Sequence, residues 1–180
     1  LLDSFLHALE GAPADGQSLR VVSVSGEQLS RRSAIKARKL LPNCVLLNLY
    51  GSTEVSGDVS CCEVSLLSLE SGSTAAIPIG LPISNCHVAL LDDARQRITT
   101  AGVAGEIFVG GPHVANGYVY DPTRTAERFV ELDGVEGVVF RTGDFAQLTA
   151  DGQLLWLGRT DRQVKVRGQR IQLEEVRFTP

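Results

Sequence analysis

Residues 48–54 combine an apolar strand pattern with a glycine, two hydroxyls and a carboxylate. Ligands of α/β sheets bind beyond the carboxyl ends of the strands, so these groups indicate a binding site. Gly51 would let the backbone approach a ligand closely, Thr53 can contact a phosphate oxygen, and Glu54 offers the hard oxygen ligand that suits Mg²⁺. A structural turn, in which Ser52 or Thr53 caps a neighbouring segment, is the alternative.

A second group of polar side chains lies further along, where Asp144 follows Gly143 at the tip of a predicted strand. A carboxylate in such a place can accept both hydroxyls of a ribose. Beyond it, the alternation of strand side chains puts Gln163, Lys165 and Arg167 on one face and two valines on the other. This basic stripe is compatible with a functional surface and with a solvated amphipathic strand.

A glycine-rich stretch at residues 102–118 separates these two groups. Glycines at this density mark tight turns or close packing of the backbone, and none of them needs to contact a ligand. We therefore predict a scaffolding role for this stretch.

The first third of the chain alternates helix and strand patterns. Apolar residues recur at helical spacing over residues 2–9, and Gly11 ends that helix. Residues 19–24 predict a strand, residues 29–41 a helix, and residues 44–49 a strand buried on both faces of a parallel sheet. This order predicts an α/β layered architecture.

From about Ile77 the pattern changes to short strands separated by turn residues, which predicts antiparallel β-structure. Asp121 and Pro122 suit the cap and the first turn of a short helix. Asp151 followed by Gly152 predicts a hairpin. The predicted helix covers residues 123–129, and the predicted strands cover 87–91, 106–109, 140–141, 146–148 and 154–157.

Composition narrows the class of protein. The 180 residues are 43% hydrophobic and 21% charged, as in globular proteins with a substantial core. The net charge of −4 argues against a surface that binds nucleic acid broadly. The four cysteines lack C-x-x-C spacing and the three histidines are far apart, which predicts reduced, mostly buried thiols in a cytoplasmic setting. No apolar run approaches the roughly 18 residues of a membrane span.

Taken together and in this order, these stretches resemble the ANL superfamily of acyl-CoA synthetases, peptide-synthetase adenylation domains and luciferases. The resemblance covers residues 19–176. It is most specific over residues 141–175, which contain Arg-Thr-Gly-Asp, Gly-Arg-x-Asp and Val-Lys-Val-Arg-Gly. It implies ATP-dependent activation of a carboxylic acid to an acyl-adenylate, with ATP and Mg²⁺ as cofactors. Transfer to the thiol of CoA or of a carrier-protein phosphopantetheine would follow.

The resemblance also implies an α/β fold in three parts. Residues 1–80 would be the C-terminal part of a layered αβ sheet subdomain, residues 81–160 a distorted antiparallel β-barrel, and residues 161–180 the hinge and the start of a small α+β domain. The chain lacks methionine and ends inside an apolar pattern, so we expect a fragment that is inactive alone. The phosphate loop would precede residue 1 and the catalytic lysine would follow Pro180.

By the same resemblance, several residues would bind the nucleotide. Tyr50 would lie against adenine, with Gly51 beside it, and Gly26 and Glu27 would border the base and the acyl pocket. Thr53 would contact phosphate.

The remaining roles concern the metal, the ribose and the moving domain. Glu54 would hold Mg²⁺, Asp144 would bind the ribose, and Arg159 would contact ribose or phosphate. Asp161 would be the hinge about which the C-terminal domain turns between the two half-reactions. A loop that enters for the second half-reaction would contain Lys165, Arg167 and Gly168, and Lys165 is not the catalytic lysine.

For the acid, the family's pocket would map to Ser23, Ser25, Leu49, Gly57 and Asp58. A buried carboxylate needs a cationic partner. We therefore expect an amino acid whose ammonium pairs with Asp58, as in members that activate β-alanine or aminoadipate. The alternative is an Asp58 that faces solvent or pairs with an arginine. Ser52 stands where peptide-synthetase domains commonly have proline, which favours members closer to the acyl-CoA synthetases.

Two other functions remain open from the sequence. One is a fatty or aromatic acyl-CoA synthetase without a preference for amino acids. The other is a β-rich binding module without enzymatic activity, in which the basic stripe over residues 159–170 holds nucleic acid.

Overall fold

The computed structural model describes residues 1–12, 16–66, 69, 76–159, 163–166 and 169–172. The helices with assigned bounds are α1 (Leu2–Gly11), α2 (Arg31–Leu40) and α3 (Pro122–Arg128), and a 3₁₀ turn covers Thr53–Val55. The strands are β1 (Val21–Val24), β2 (Val45–Ser52), β3 (Gly57–Glu63), β4 (Leu81–Pro82), β5 (His87–Leu91), β6 (Ala104–Gly110), β7 (Phe129–Glu131), β8 (Val138–Leu148), β9 (Leu154–Arg159), β10 (Gln163–Val166) and β11 (Gln169–Gln172).

Helices α1 and α2 pack against each other through complementary polar and apolar contacts. The hydroxyl of Ser30 caps α2 by accepting the backbone N–H of Ser33 at 3.0 Å. The Ser33 hydroxyl donates to the Asp3 carboxylate of α1 at 2.6 Å. Leu6 and the small Ala34 are fully buried in one apolar cluster, so the two helices lie close together.

The first sheet has the strand order β1-β2-β3-β4. Strand β2 pairs in parallel with β1 and antiparallel with β3. A strand is present at the predicted position, residues 44–49. It is not buried on both faces, however, and only one of its two neighbouring strands is parallel to it. Burial alternates along it, with Leu46 and Asn48 buried and their neighbours half-buried. Strand β3 was not predicted, because its polar and glycine residues at 57–60 carry no clear strand pattern.

The tight connection after β2 depends on one glycine. The register between β2 and β3 shifts between Tyr50 and Gly51. A Cβ atom at Gly51 would lie 1.8 Å from the carbonyl oxygen of Gly57. Only glycine therefore allows β3 to return this closely beside the end of β2.

The second sheet is antiparallel, with the order β5-β6-β8-β7 and with β9 paired to β8. Strand β8 runs without interruption over eleven residues, where the sequence pattern predicted two short strands. The predicted hairpin at Asp151 and Gly152 joins β8 to β9 and is confirmed. Helix α3 is also confirmed, with the Asp121 carboxylate accepting the N–H of Arg124 at 2.9 Å.

The two sheets share one apolar core. It contains Val55, Val59 and Ile79 from the first part of the chain and Ile107 and Phe140 from the second. A backbone bridge between Gly80 and Leu154 joins the sheets directly, with hydrogen bonds of 2.8 Å. A Cβ atom at Gly80 would lie 1.8 Å from the Cys61 carbonyl oxygen, so the bridge requires glycine.

The α/β fold class with a following curled antiparallel sheet is confirmed by this arrangement. The proposed division at residue 80 stays a prediction, and β4, at Leu81–Pro82, pairs with β3 of the first sheet. In the described part of the chain, no helix combines the length and apolar character that crossing a membrane requires.

All four cysteines are free thiols. Cys44 and Cys62 are buried, and Cys61 and Cys86 are half-buried. Burial raises the pKa of the Cys62 thiol to about 11. Cys62 Sγ lies 3.2 Å from the side-chain oxygen of Gln153, the residue before β9, so it donates a hydrogen bond between the sheets.

We expect Cys62 to lose its proton, and with it this stabilising contact, only at strongly alkaline pH. An unfolded thiol titrates near pH 8.5, so the contribution of Cys62 to stability is complete below about pH 8.5 and is lost as the pH rises toward 11. Iodoacetamide labelling of the full-length protein, mapped by mass spectrometry from pH 7 to 11, should stay slow at this residue up to about pH 9 and rise only toward pH 11. A midpoint below pH 9 would contradict the assignment.

Candidate functional site

A cavity of about 530 Å³ lies between the two sheets. The first sheet contributes the carboxyl end of β2, including Tyr50 and Gly51, and the second contributes Thr142, Asp144 and Trp156. The turn after β1 and the 3₁₀ turn after β2 also line it. The sequence placed the carboxylates of residues 54 and 144 at separate strand ends. Glu54 does follow the end of β2, but the prediction is wrong for Asp144, which lies inside β8 because that strand continues to Leu148. Both carboxylates nevertheless line one cavity.

The Asp144 carboxylate is held by three donors. Oδ2 accepts the Tyr50 hydroxyl at 2.7 Å and pairs with Nη1 of Arg159 at 3.1 Å. Oδ1 accepts the indole N–H of Trp156 at 2.9 Å. The side chains of Asp144 and Arg159 are each only 13% exposed, so this ion pair is shielded from solvent and salt.

The Tyr50 hydroxyl is a permanent donor to Asp144. Burial, and then the negative charge of Asp144, raise the pKa of Tyr50 well above its ordinary value. The phenol therefore stays protonated across the physiological pH range, and its hydrogen bond links β2 of the first sheet to β8 of the second.

Each residue of the Arg-Thr-Gly-Asp stretch has a contact that shapes β8. Arg141 Nε lies 2.9 Å from both carboxylate oxygens of Glu106 on β6. Glu106 Oε1 also accepts the N–H of Gly143 at 3.1 Å. The Thr142 hydroxyl donates to the Ile107 carbonyl at 2.8 Å and accepts the N–H of Asp144 at 3.0 Å. These bonds orient Asp144 toward the cavity.

A carboxylate offers about four acceptor positions, and the three donors on Asp144 use three of them. One position on Oδ1 stays open for a hydroxyl of a ligand. A second ligand hydroxyl at Oδ2 would replace Tyr50 or Arg159 as a partner.

Glu54 lies in the 3₁₀ turn that follows β2 and is only 5% exposed. Its Oε1 accepts the Tyr118 hydroxyl at 2.7 Å. Thr53, the neighbouring residue, is exposed. Among the residues that the structure describes, no three acidic, histidine or cysteine side chains cluster as a metal site.

The residues predicted for the acid pocket lie on or beside β1, β2 and β3, and the cavity lining does not include Ser23, Ser25, Gly57 or Asp58. The Ser25 hydroxyl donates to Oδ1 of Asp58, which is half-buried rather than fully buried. Gly51 and Asp58 face each other in the β2–β3 ladder. Leu49 lines the cavity itself. Ser23 lies within β1 and Gly57 begins β3.

Of the other residues predicted for the site, some line the cavity, one lies on a strand beyond it, and some are outside the described residues. Gly26 and Glu27 line the cavity. Arg159 lies inside it and is paired with Asp144, so it is not part of an exposed basic stripe. Lys165 lies on β10. The structure describes none of the remaining positions, which are Asp161, Arg167 and Gly168.

The sequence reasoning missed Trp156, Glu106 and Tyr118 as residues that shape the site. The hairpin pattern could have identified Trp156, because the β8–β9 register sets Arg159 opposite Asp144 and Trp156 opposite Ala146. No local signal could have identified Glu106 or Tyr118, whose partners are 35 and 64 residues away in the chain.

Comparison with known proteins adds family information to this geometry. The model of the family described as AMP-binding enzyme matches residues 1–119. Indigoidine synthase of Streptomyces lavendulae is 36% identical over 163 residues, which cover 88% of this chain and 13% of that protein.

Two solved structures resemble the chain closely. PA1221, an NRPS protein containing adenylation and PCP domains, has a TM-score of 0.85 and 35% identity, covering 94% of this chain and 34% of that one. The Vibrio cholerae adenylation domain AlmE, in complex with glycyl-adenosine-5'-phosphate, has a TM-score of 0.82 and 28% identity, covering 97% and 32%. The chain thus spans about a third of these solved neighbours and a smaller share of indigoidine synthase.

Replacing Glu106 by Ala should destabilise β8, because the substitution leaves the Gly143 N–H and the Arg141 charge without their acceptor. The expected cost is about 1–3 kcal/mol. Hydrogen–deuterium exchange of residues 138–148 in the full-length protein should therefore be faster. Glu131→Ala, at an exposed strand position, is the matched control and should leave β8 unchanged. Equal exchange in both variants would refute the role of Glu106.

Proposed function

Because the chain belongs to the AMP-binding enzyme family, we propose that it forms much of the nucleotide site of an adenylation domain. The proposed activity is ATP-dependent conversion of a carboxylic acid to an acyl-adenylate, followed by transfer of the acyl group to a phosphopantetheine thiol. The observation that carries the proposal is the convergence of Glu54 and Asp144, from separate sheets, on one cavity.

The size and lining of the cavity suit a nucleotide. About 530 Å³ lies within the range of small-molecule sites. Asp144 would accept a ribose hydroxyl at its open Oδ1 position, and Arg159 would contact ribose or phosphate. Tyr50 would lie against adenine, next to Gly26 and Glu27. Thr53 is exposed, so its hydroxyl is accessible to a phosphate oxygen.

Glu54 is the residue that we propose for Mg²⁺. A single protein carboxylate fits this ion, which usually keeps several waters and takes further oxygens from substrate phosphates. Glu54 lines the same cavity as Asp144, so a nucleotide bound there could supply those oxygens. The bound ion would neutralise negative charge on the phosphates.

The adenylation reaction requires that the carboxylate of the acid and the phosphates of ATP, which are both anions, are held in line. A carboxylate oxygen of the acid attacks the α-phosphorus, the bond from that phosphorus to the bridging oxygen breaks, and pyrophosphate leaves with the electron pair. A thiol then attacks the acyl carbon, and AMP leaves. The residues of this chain would contribute by fixing the ribose through Asp144 and by orienting the phosphates near Glu54. The phosphate loop and the catalytic lysine would come from outside residues 1–180.

We propose an amino acid as the substrate, with its ammonium group near Asp58. Only Oδ1 of Asp58 accepts the Ser25 hydroxyl, so the carboxylate retains acceptor positions and its charge for a cation. The glycyl-adenylate in the related domain AlmE supports this substrate class. An aromatic or fatty acid is the alternative, because neither would need a carboxylate at this position.

The relatives favour a carrier protein over CoA as the acceptor. PA1221 combines adenylation and PCP domains, although Ser52 departs from the proline of peptide-synthetase domains. We place the activity in the cytoplasm, where four free thiols would stay reduced.

The full-length protein should exchange pyrophosphate into ATP when the correct acid is present, and Asp144→Asn should weaken ATP binding. Loss of a charged hydrogen bond acceptor should reduce affinity about 10–100-fold by calorimetry. Asp133→Asn, at an exposed loop position, is the control and should bind ATP normally. Unchanged affinity in the Asp144 variant would contradict the ribose assignment, and absence of exchange with every acid would contradict the proposed function.

Asp58→Ala should reduce the preference of the enzyme for amino acids over plain acids, because the ammonium group loses its counter-charge. The ratio of kcat/KM values in a pyrophosphate-exchange panel should fall about 10-fold or more. Ser25→Ala tests whether the neighbouring hydroxyl contributes through Asp58, and its effect should be smaller. An Asp58→Ala enzyme with the original preference would exclude this residue from substrate selection.

A further inference from the structure

We propose that Tyr118 is a positioning residue for the Glu54 carboxylate, and that it sets the affinity of this site for a divalent cation. The inference rests on the proposed function, because it extends the role of Glu54. Tyr118 belongs to the glycine-rich stretch that the sequence indicated as scaffold, and it is not among the residues that line the cavity.

The central contact is a hydrogen bond of 2.7 Å from the Tyr118 hydroxyl to Oε1 of Glu54. Glu54 is 5% exposed, so few water molecules can compete for this oxygen. A carboxylate has about four acceptor positions, so this bond can orient the group without preventing it from binding a cation. Neighbouring hydrogen bonds of this kind commonly set ligand orientation at metal sites.

The Tyr118 ring is held firmly, which makes its hydroxyl a precise donor. The ring meets Phe129 edge-on, with centroids 5.4 Å apart, and the Arg124 guanidinium lies 4.9 Å above its centroid. The Tyr118 N–H donates to the Thr125 hydroxyl at 2.9 Å. Three contacts from α3 and its C-terminal end therefore fix both the backbone and the ring before any ligand binds.

The backbone around Glu54 is tied to the same stretch. The Ala115 N–H donates to the Glu54 carbonyl at 2.9 Å, and the Ser56 hydroxyl donates to the His113 carbonyl at 2.8 Å. These two bonds hold the 3₁₀ turn in place without the tyrosine hydroxyl. Removal of that hydroxyl should therefore release the orientation of the carboxylate and leave the turn folded.

Tyr118→Phe tests this division of roles, because it keeps the ring contacts and removes only the hydroxyl. In the full-length protein with saturating ATP, the Mg²⁺ concentration for half-maximal pyrophosphate exchange should rise about 10-fold, within the 10–100-fold range of such contacts. Excess Mg²⁺ should restore kcat. The dissociation constant of Mn²⁺ in the presence of ATP, measured by electron paramagnetic resonance, should rise by the same factor.

Two further variants make the result specific. Tyr120→Phe is the matched control, because Tyr120 lies two residues away and is fully exposed. The Mn²⁺ affinity of this variant should equal that of the unaltered protein. Adding Tyr118→Phe to Glu54→Gln should weaken Mn²⁺ binding no further, because the hydroxyl acts through that carboxylate.

Unaltered Mn²⁺ affinity in Tyr118→Phe would overturn the inference, as would an equal additional loss on the Glu54→Gln background. These outcomes differ from failure of the proposed function, in which the unaltered protein would show no acid-dependent pyrophosphate exchange.

Discussion

The Asp144 carboxylate is the group on which the form of the cavity depends. A buried charge is costly unless it is paired and hydrogen-bonded. Asp144 meets this condition only because Tyr50 reaches it from the first sheet while Trp156 and Arg159 reach it from β9. The two sheets must therefore lie at a fixed separation, and the cavity is the space that remains between them beside this contact.

The same interaction prepares the site electrostatically. The charge of Asp144 is balanced by Arg159, and Tyr50 remains a neutral donor because burial and the nearby carboxylate raise its pKa. The site thus holds an oriented acceptor for hydroxyl groups without an uncompensated buried charge. Such advance organisation reduces the reorganisation that binding and reaction require.

The glycine-rich stretch has a broader role than support of the second sheet. It contains β6 of that sheet, yet its backbone beyond β6 and Tyr118 contact the turn that carries Glu54 after β2. Phe129 contacts both Tyr118 and Phe140, and Phe140 lines the cavity. One continuous set of contacts therefore connects α3, the Glu54 turn and the cavity wall.

Local patterns in the sequence were enough to predict the α/β order, the capped helix at Asp121, the hairpin at Asp151 and the polar end of β2 before Glu54. Each depends on side chains that are neighbours along the chain. The antiparallel return of β3, the continuity of β8, and the partners of Glu106 and Tyr118 were decided by tertiary structure. Their energies come from contacts between residues distant in sequence, which no local periodicity encodes.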